Sequence, residues 1–192
     1  MKMKKCVVYI VIIFIVNLLL GQDTLIDELT QNAYKYYQKK DYANAIILFE
    51  NLLAEQELIF DQNDMHIAET LTRLGELYSL SNMPEISTYY FEEAIRAANE
   101  GILFTEAQFG TDERNMRVCE GRKYTCLANS EARLAKLTMS VDVRVNHLNH
   151  AANYKKSGAL AWKEAANVDL KDNDMDNYYN SLSAYHQNLS AS

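Results

Sequence analysis

The chain has 192 residues, a formal net charge of −7, 48% hydrophobic residues, six glycines and one proline. So little Gly and Pro excludes collagen-like, proline-rich and turn-dense all-β architectures, and the apolar share excludes wholesale disorder. The length suits one domain with a short arm at most, and the acidic balance argues against a nucleic-acid binder, which needs a basic face to displace counterions.

Residues 1–21 read as a targeting segment. Lys2, Lys4 and Lys5 precede an apolar run over residues 6–20, broken only by Asn17. As a helix this run spans ~22 Å, short of the ~30 Å hydrocarbon core, which favours a secretory signal peptide over a membrane span. Gly21 supplies the small residue at a cleavage point, and an uncleaved N-terminal anchor is the alternative. Either way the body is expected to be exported, periplasmic or secreted, with any membrane contact confined to this segment. Cys6 heads the apolar run instead of following it, so lipidation there is not expected. Cleavage after Gly21 would remove three lysines and leave 16 basic and 26 acidic side chains, a net −10.

From Thr24 onward apolar residues recur at three- and four-residue steps, the signature of amphipathic helices. Leu25, Leu29, Ala33 and Tyr36 share one face. Asp41 is placed to cap the next helix, whose face carries Ala45, Phe49, Leu52 and Leu53. Leu71, Leu74 and Tyr78 line a third helix. Pro84, after Asn82, opens a fourth, with Ile86, Tyr90, Phe91 and Ala94 following. The short gaps predict antiparallel hairpins. Leu29, Tyr36 and Phe49 find counterparts at Leu71, Tyr78 and Phe91, each displaced by 42 residues, and the small residues Ala33 and Ala45 recur as Gly75 and Ser87. Matching anchors at one fixed period define a repeat. The small residues would let paired helices approach, and the aromatics would fill the space around them.

The second copy (Leu74, Gly75, Tyr78, Ser87, Phe91, Ala94) resembles the tetratricopeptide repeat, and the first follows it less closely, with Asn32 and Leu52 at two of its positions. The usual period is ~34 residues. The longer spacing is similar to the repeats of kinesin light chains, whose Asp/His-rich lead-in is matched in part by Asn63-Asp64-Met65-His66-Ile67-Ala68. The resemblance covers residues 25–99. It implies an all-α fold of antiparallel helical hairpins stacked as a right-handed superhelix, an α-solenoid, with a concave groove lined by the first helix of each pair. On that register Tyr36 packs inward while Tyr34, Tyr37, Gln38, Thr72, Arg73, Glu76 and Ser79 face the groove. Some relatives clamp a peptide carboxylate with Lys and Asn on these faces. The corresponding Thr30, Tyr34 and Arg73, with Glu76 near, do not reproduce that clamp, and a groove both aromatic and acidic suits a peptide or helix with basic character.

A further step of 42 lands on Glu113, Met116, Arg117, Glu120 and Asn129, which do not continue the pattern. The expected organisation is therefore a targeting segment (1–21), two hairpins (22–99), a degenerate helical segment (100–139), and a hairpin with a capping helix (140–192). Within the last part Ser140 starts a helix, Ser157-Gly158 reads as a turn inside a hairpin over 141–170, Asp172-Asn173-Asp174 ends it, and residues 175–187 form a polar terminal helix. Asn188-Leu189-Ser190 matches a glycosylation acceptor in a tail expected to fray.

Catalytic signals are sparse. No nucleophile-elbow Gly-x-Ser-x-Gly and no phosphate-cradling glycine loop occurs, and the carboxylates are spread over helix faces without a pairing pattern. His147 and His150, three apart, could share a helix face, but no third ligand is in view, so neither metal nor cofactor is expected. Cys119 and Cys126 would stand ~10.5 Å apart on a continuous helix, beyond the ~7 Å limit of a disulfide, so a bridge requires the helix to break at Gly121. The sequence thus points to a non-catalytic module binding a protein or peptide. A sensor of a small molecule or cell-wall fragment, and a self-associating envelope protein, are the alternatives.

Overall fold

The computed structural model describes residues 24–60, 65–109, 112–171 and 174–190, with side chains described at all of these except 101–109, 189 and 190. The proposed targeting segment lies outside the described residues. The described residues are all-α, in seven helices without a strand. These are α1 (residues 24–38), α2 (Tyr42–Ile59), α3 (Met65–Leu80), α4 (Pro84–Phe109), α5 (Glu113–Leu137), α6 (Val141–Lys171) and α7 (Met175–Ser190). Among them no helix is long and apolar enough to cross a membrane. The chain divides after Gln56 into two compact units.

In the first unit Ala33, Ala45, Phe49 and Leu52 are buried, as their helical spacing predicts. The α1–α2 turn is closed by Asp41 N–H donating to the Tyr36 carbonyl (3.1 Å) and Lys40 N–H to that of Tyr37 (3.0 Å), with Lys40 left-handed at φ 60°. This is the paired-bond ending that satisfies the last carbonyls of a helix. Asp41 then caps α2, accepting from the Asn44 backbone N–H (3.4 Å) and the Asn44 amide (2.8 Å).

In the second unit the turn between α3 and α4 is built the same way. Met83 N–H donates to the Tyr78 carbonyl (2.9 Å), Asn82 N–H to that of Ser79 (3.2 Å), and Asn82 is left-handed at φ 59°. Each of these partners is displaced by 42 residues from its counterpart in the first turn. Asn82 therefore ends α3 instead of starting α4, and Pro84 occupies the first helical position. Between α3 and α4 the Ser87 hydroxyl donates to the Gly75 carbonyl (2.7 Å), and the Phe91 ring lies so close over Gly75 that a Cβ there would fall 2.7 Å from Phe91 Cε1. Leu74, Leu77, Ser87, Phe91, Ala94, Ala97 and Ala98 are fully buried around this contact.

Each later helix packs on its predecessor, and α5 also touches α3. Two sequence expectations change here. Ser157-Gly158 is not a turn: α6 is one helix of 31 residues, and the hairpin is α5 against α6, turning at residues 138–140. Gly158 is buried mid-helix because three helices meet on it; a Cβ would lie 3.2 Å from both Tyr124 Cβ and Asn188 Oδ1. The glycosylation acceptor, too, lies in a packed helix, while residues 191 and 192 lie outside the described residues. Asn188 is buried in α7, donating to the Thr125 hydroxyl (3.2 Å) and the Ala184 carbonyl (3.0 Å), which removes its amide from reach as a glycan acceptor. The starts of α5 and α7 repeat the Asp-x-x-Asn cap of α2: Asp112 accepts from Asn115 N–H (3.1 Å) and Asp174 from Asn177 N–H (3.2 Å). The bonds from Asn177 hold the Asp174 carboxyl below its ordinary pKa.

Candidate binding surfaces

In the first unit Tyr34 is half-buried with its ring edge against Phe49 (centroids 5.4 Å, planes at 83°), so it contributes to packing; Tyr37 is half-buried and Gln38 exposed. In the second unit the four positions on α3 divide. Thr72 is buried, its hydroxyl donating to the Ala68 carbonyl (2.9 Å) and contacting Cys126 Sγ (2.9 Å) and Ser130 Oγ (3.4 Å). Glu76 is buried too, accepting from Arg73 (2.7 Å) and from Arg133 of α5 (3.3 Å). Arg122 of α5 adds a two-bond clasp on Glu69 (2.8 Å each). The α3 face at Thr72 and Glu76 is thus committed to α5, while the Arg73 side chain keeps 37% exposure and Ser79 is half-exposed. Sequence register placed all four on one face; it could not show that α5 lies over two of them.

Cys119 and Cys126 lie on unbroken α5 and are not bridged. The helix does not break at Gly121, because Gly121 serves packing: a Cβ there would fall 2.6 Å from the Trp162 ring. Burial pushes the Cys126 thiol up to about 12, against the smaller opposing effect of the Thr72 hydroxyl.

His147 and His150 both turn their Nδ1 atoms to the buried Glu131 of α5, at 2.5 and 3.3 Å. One carboxylate is thereby partnered from two consecutive turns of α6. Among the described residues no group of three or more His, Cys, Asp or Glu side chains is arranged to hold a metal. The most deeply buried carboxylate, Asp169, accepts from Arg114 Nε and from the Ser181 hydroxyl (2.8 Å), tying α5, α6 and α7 together at one end.

At the opposite end of the α5–α6 pair is a cavity of about 390 Å³ lined by Ala132, Ala135, Lys136, Arg144 and Leu148. Sequence reasoning did not single out Ala132, Ala135, Lys136 or Arg144. The available signal was the small pair Ala132 and Ala135 on α5, with half-exposed Leu148 of α6 at the same cavity. No protein-family model matches the chain, and no curated protein matches it.

Proposed function

We propose that this chain is an exported, non-catalytic protein-interaction module built as a tetratricopeptide-like α-solenoid, with a partner peptide or helix held on the first helices of its hairpins. The observation that carries this reading is the duplicated turn: the same two closing hydrogen bonds and a left-handed residue at the equivalent position, Lys40 and Asn82, recur 42 positions apart, on hairpins whose small and aromatic residues also match. Helical hairpins of this kind leave an apolar side that must stack, and stacking creates extended surfaces suited to passive capture. Tyr37 and Gln38 on α1, and Arg73 and Ser79 on α3, keep enough exposure to meet a partner, and Tyr and Arg are the residue types that anchor interfaces.

The test is a photo-reactive phenylalanine placed at Tyr37, at Ser79 and, as a control, at the exposed Glu92, in the native cell. A partner cross-linked at Tyr37 or at Ser79 but not at Glu92 is the expected result, and Tyr37→Ala with Arg73→Ala should abolish its capture without loss of helicity. No adduct at either position, or unchanged capture by the double variant, refutes the surface assignment. The N-terminal sequence of the recovered protein reports whether residues 1–21 are removed.

A further inference from the structure

We infer that the α5–α6 groove, beyond the seat of α7, is a second docking surface whose occupant is an amphipathic helix of a partner protein with acidic residues flanking its apolar stripe. This surface shares no residue with the α1 and α3 positions above and stands or falls separately.

The molecule itself shows what this groove accepts. On α5, Gly121, Thr125, Ala128, Ala132 and Ala135 recur at four- and three-residue steps and lie along one line of the helix. On α6, Leu148 and Ala152, and further on Ala159 and Trp162, lie along a similar line, interrupted by Lys155 and Lys156. At the Gly121 end the space between the two lines is filled: Trp162 lies across Gly121, and Asn188 of α7 bonds Thr125 and rests on Gly158. A helix therefore occupies this half. But α6 has 31 residues and α7 only 16. With Asn188 at the level of Gly158, the first half of α6 extends past the cover of α7 by about 15 residues, or ~22 Å, which is room for four helical turns. Within that stretch lies the cavity of about 390 Å³, open to solvent between Ala132, Ala135 and Leu148. Leu148 lines it at 50% exposure, and Val141 and Val145, at 69% and 48%, precede Leu148 on α6 at four- and three-residue steps. Large apolar side chains at helical spacing around an open apolar floor suit a second helix continuing the layer that α7 begins.

Charge chooses the kind of helix. The chain is acidic overall, yet the charged residues lining this cavity are Lys136 and Arg144. Arg144 is oriented by donating Nη2–H to the Thr138 carbonyl (2.9 Å), which leaves further N–H groups of its guanidinium for a carboxylate. Two cations flanking an apolar floor favour Leu or Ile on the seated face with Glu or Asp beside them, and repel a basic helix.

Two synthetic helical peptides test this against the full chain by fluorescence anisotropy. Both carry Leu at i, i+4, i+7 and i+11; one has Glu and the other Lys at the flanking positions. Saturable binding of the Glu peptide, weakening with salt, is expected, with none of the Lys peptide. Lys136→Glu with Arg144→Glu, both exposed sites, should lower affinity for the Glu peptide by about tenfold or more and admit the Lys peptide. Ala132→Trp should fill the floor and weaken both, while far-UV circular dichroism confirms that each variant is folded. Failure of the Glu peptide to bind, or binding indifferent to the charge reversal, overturns the inference. So does a dimer in sedimentation equilibrium that the charge reversal dissolves, since the occupant is then a second copy. Cross-linking at Tyr37 and Ser79 is unaffected by either outcome.

Discussion

Replacing Gly75 by alanine tests the contact on which the second hairpin is built. Alanine is the better helix former by ~1 kcal/mol, so propensity alone favours the variant. Its Cβ, however, would stand 2.7, 2.8 and 3.0 Å from Cε1, Cδ1 and Cγ of Phe91. Carbon atoms rest comfortably at about 3.5–4.0 Å, so the ring must move by about 1 Å. Phe91 is fully buried, and the contact runs along the ring to its root, so no flexible tip can swing aside. Nor can the helices part freely, because the Ser87 hydroxyl fastens α4 to the Gly75 carbonyl at the same level. Overpacking costs ~1–3 kcal/mol, here toward the upper end, and the propensity gain offsets part of it. Gly75→Ala should therefore destabilise by ~1–2 kcal/mol, lowering the melting temperature by about 2–8 °C. Far-UV circular dichroism melts and urea titrations measure this. Combining Gly75→Ala with Phe91→Leu removes the ring edge, and the double variant should be less destabilised than the sum of the singles by ~1 kcal/mol. A Gly75→Ala protein that melts higher than the parent, or strictly additive effects, would refute the reasoning.

Lys40 holds a left-handed backbone with a Cβ, so Lys40→Gly should stabilise by ~0.5–1 kcal/mol, whereas Asn82→Gly, at a residue that tolerates this conformation, should change little; equal thermal shifts would contradict this. Iodoacetamide at neutral pH should label half-exposed Cys119 well before buried Cys126, whose thiol stays protonated; peptide mapping that finds equal labelling, or a bridge between the two, overturns that assignment. Asp169→Ala strands Arg114 and Ser181 and should cost ~2–4 kcal/mol in urea unfolding, and a loss below ~1 kcal/mol would mean that the three-helix tie contributes little.

The parts of this molecule written in local spacing were legible in its sequence. Ala33, Ala45, Phe49, Leu74, Phe91 and Ala94 are buried as their periodicity indicates, and Asp41 caps α2. Burial of an apolar stripe needs only some neighbour, so the stripe announces itself without naming the neighbour. Ser157-Gly158 misled because a glycine admitted for close packing is indistinguishable, in one sequence, from a glycine admitted for a turn. Only the Tyr124 and Asn188 atoms crowding Gly158 separate the two cases. Thr72 and Glu76 illustrate the converse. A polar residue reads as solvent-facing until a second helix supplies its hydrogen bonds, and Ser130, Cys126 and Arg133 lie more than fifty residues away along the chain. The Lys136–Arg144 cavity was unread for the same reason, since it belongs to a pair of helices and to neither alone.

The hairpins follow one local rule with different outcomes. α3 and α4 place an aromatic of the second helix on a glycine of the first, Phe91 on Gly75, and α5 and α6 do so again with Trp162 on Gly121. The rule fixes how closely two helices approach but leaves their lengths undetermined. In α3–α4 the contact lies 16 residues apart in sequence, close to the turn; in α5–α6 it lies 41 apart, so the two helices run on together well beyond it before they turn. That extension has no counterpart in α7, which ends near the level of Gly158. The uncovered groove is therefore a consequence of lengthening one hairpin without lengthening the helix that caps it. Shortening α5 and α6 together by two turns on the Thr138 side would remove Ala132, Ala135, Lys136 and Arg144 while keeping Gly121–Trp162 and the seat of Asn188. If the groove exists to bind, that change should abolish docking and leave the packing at Gly121 and Gly158 in place.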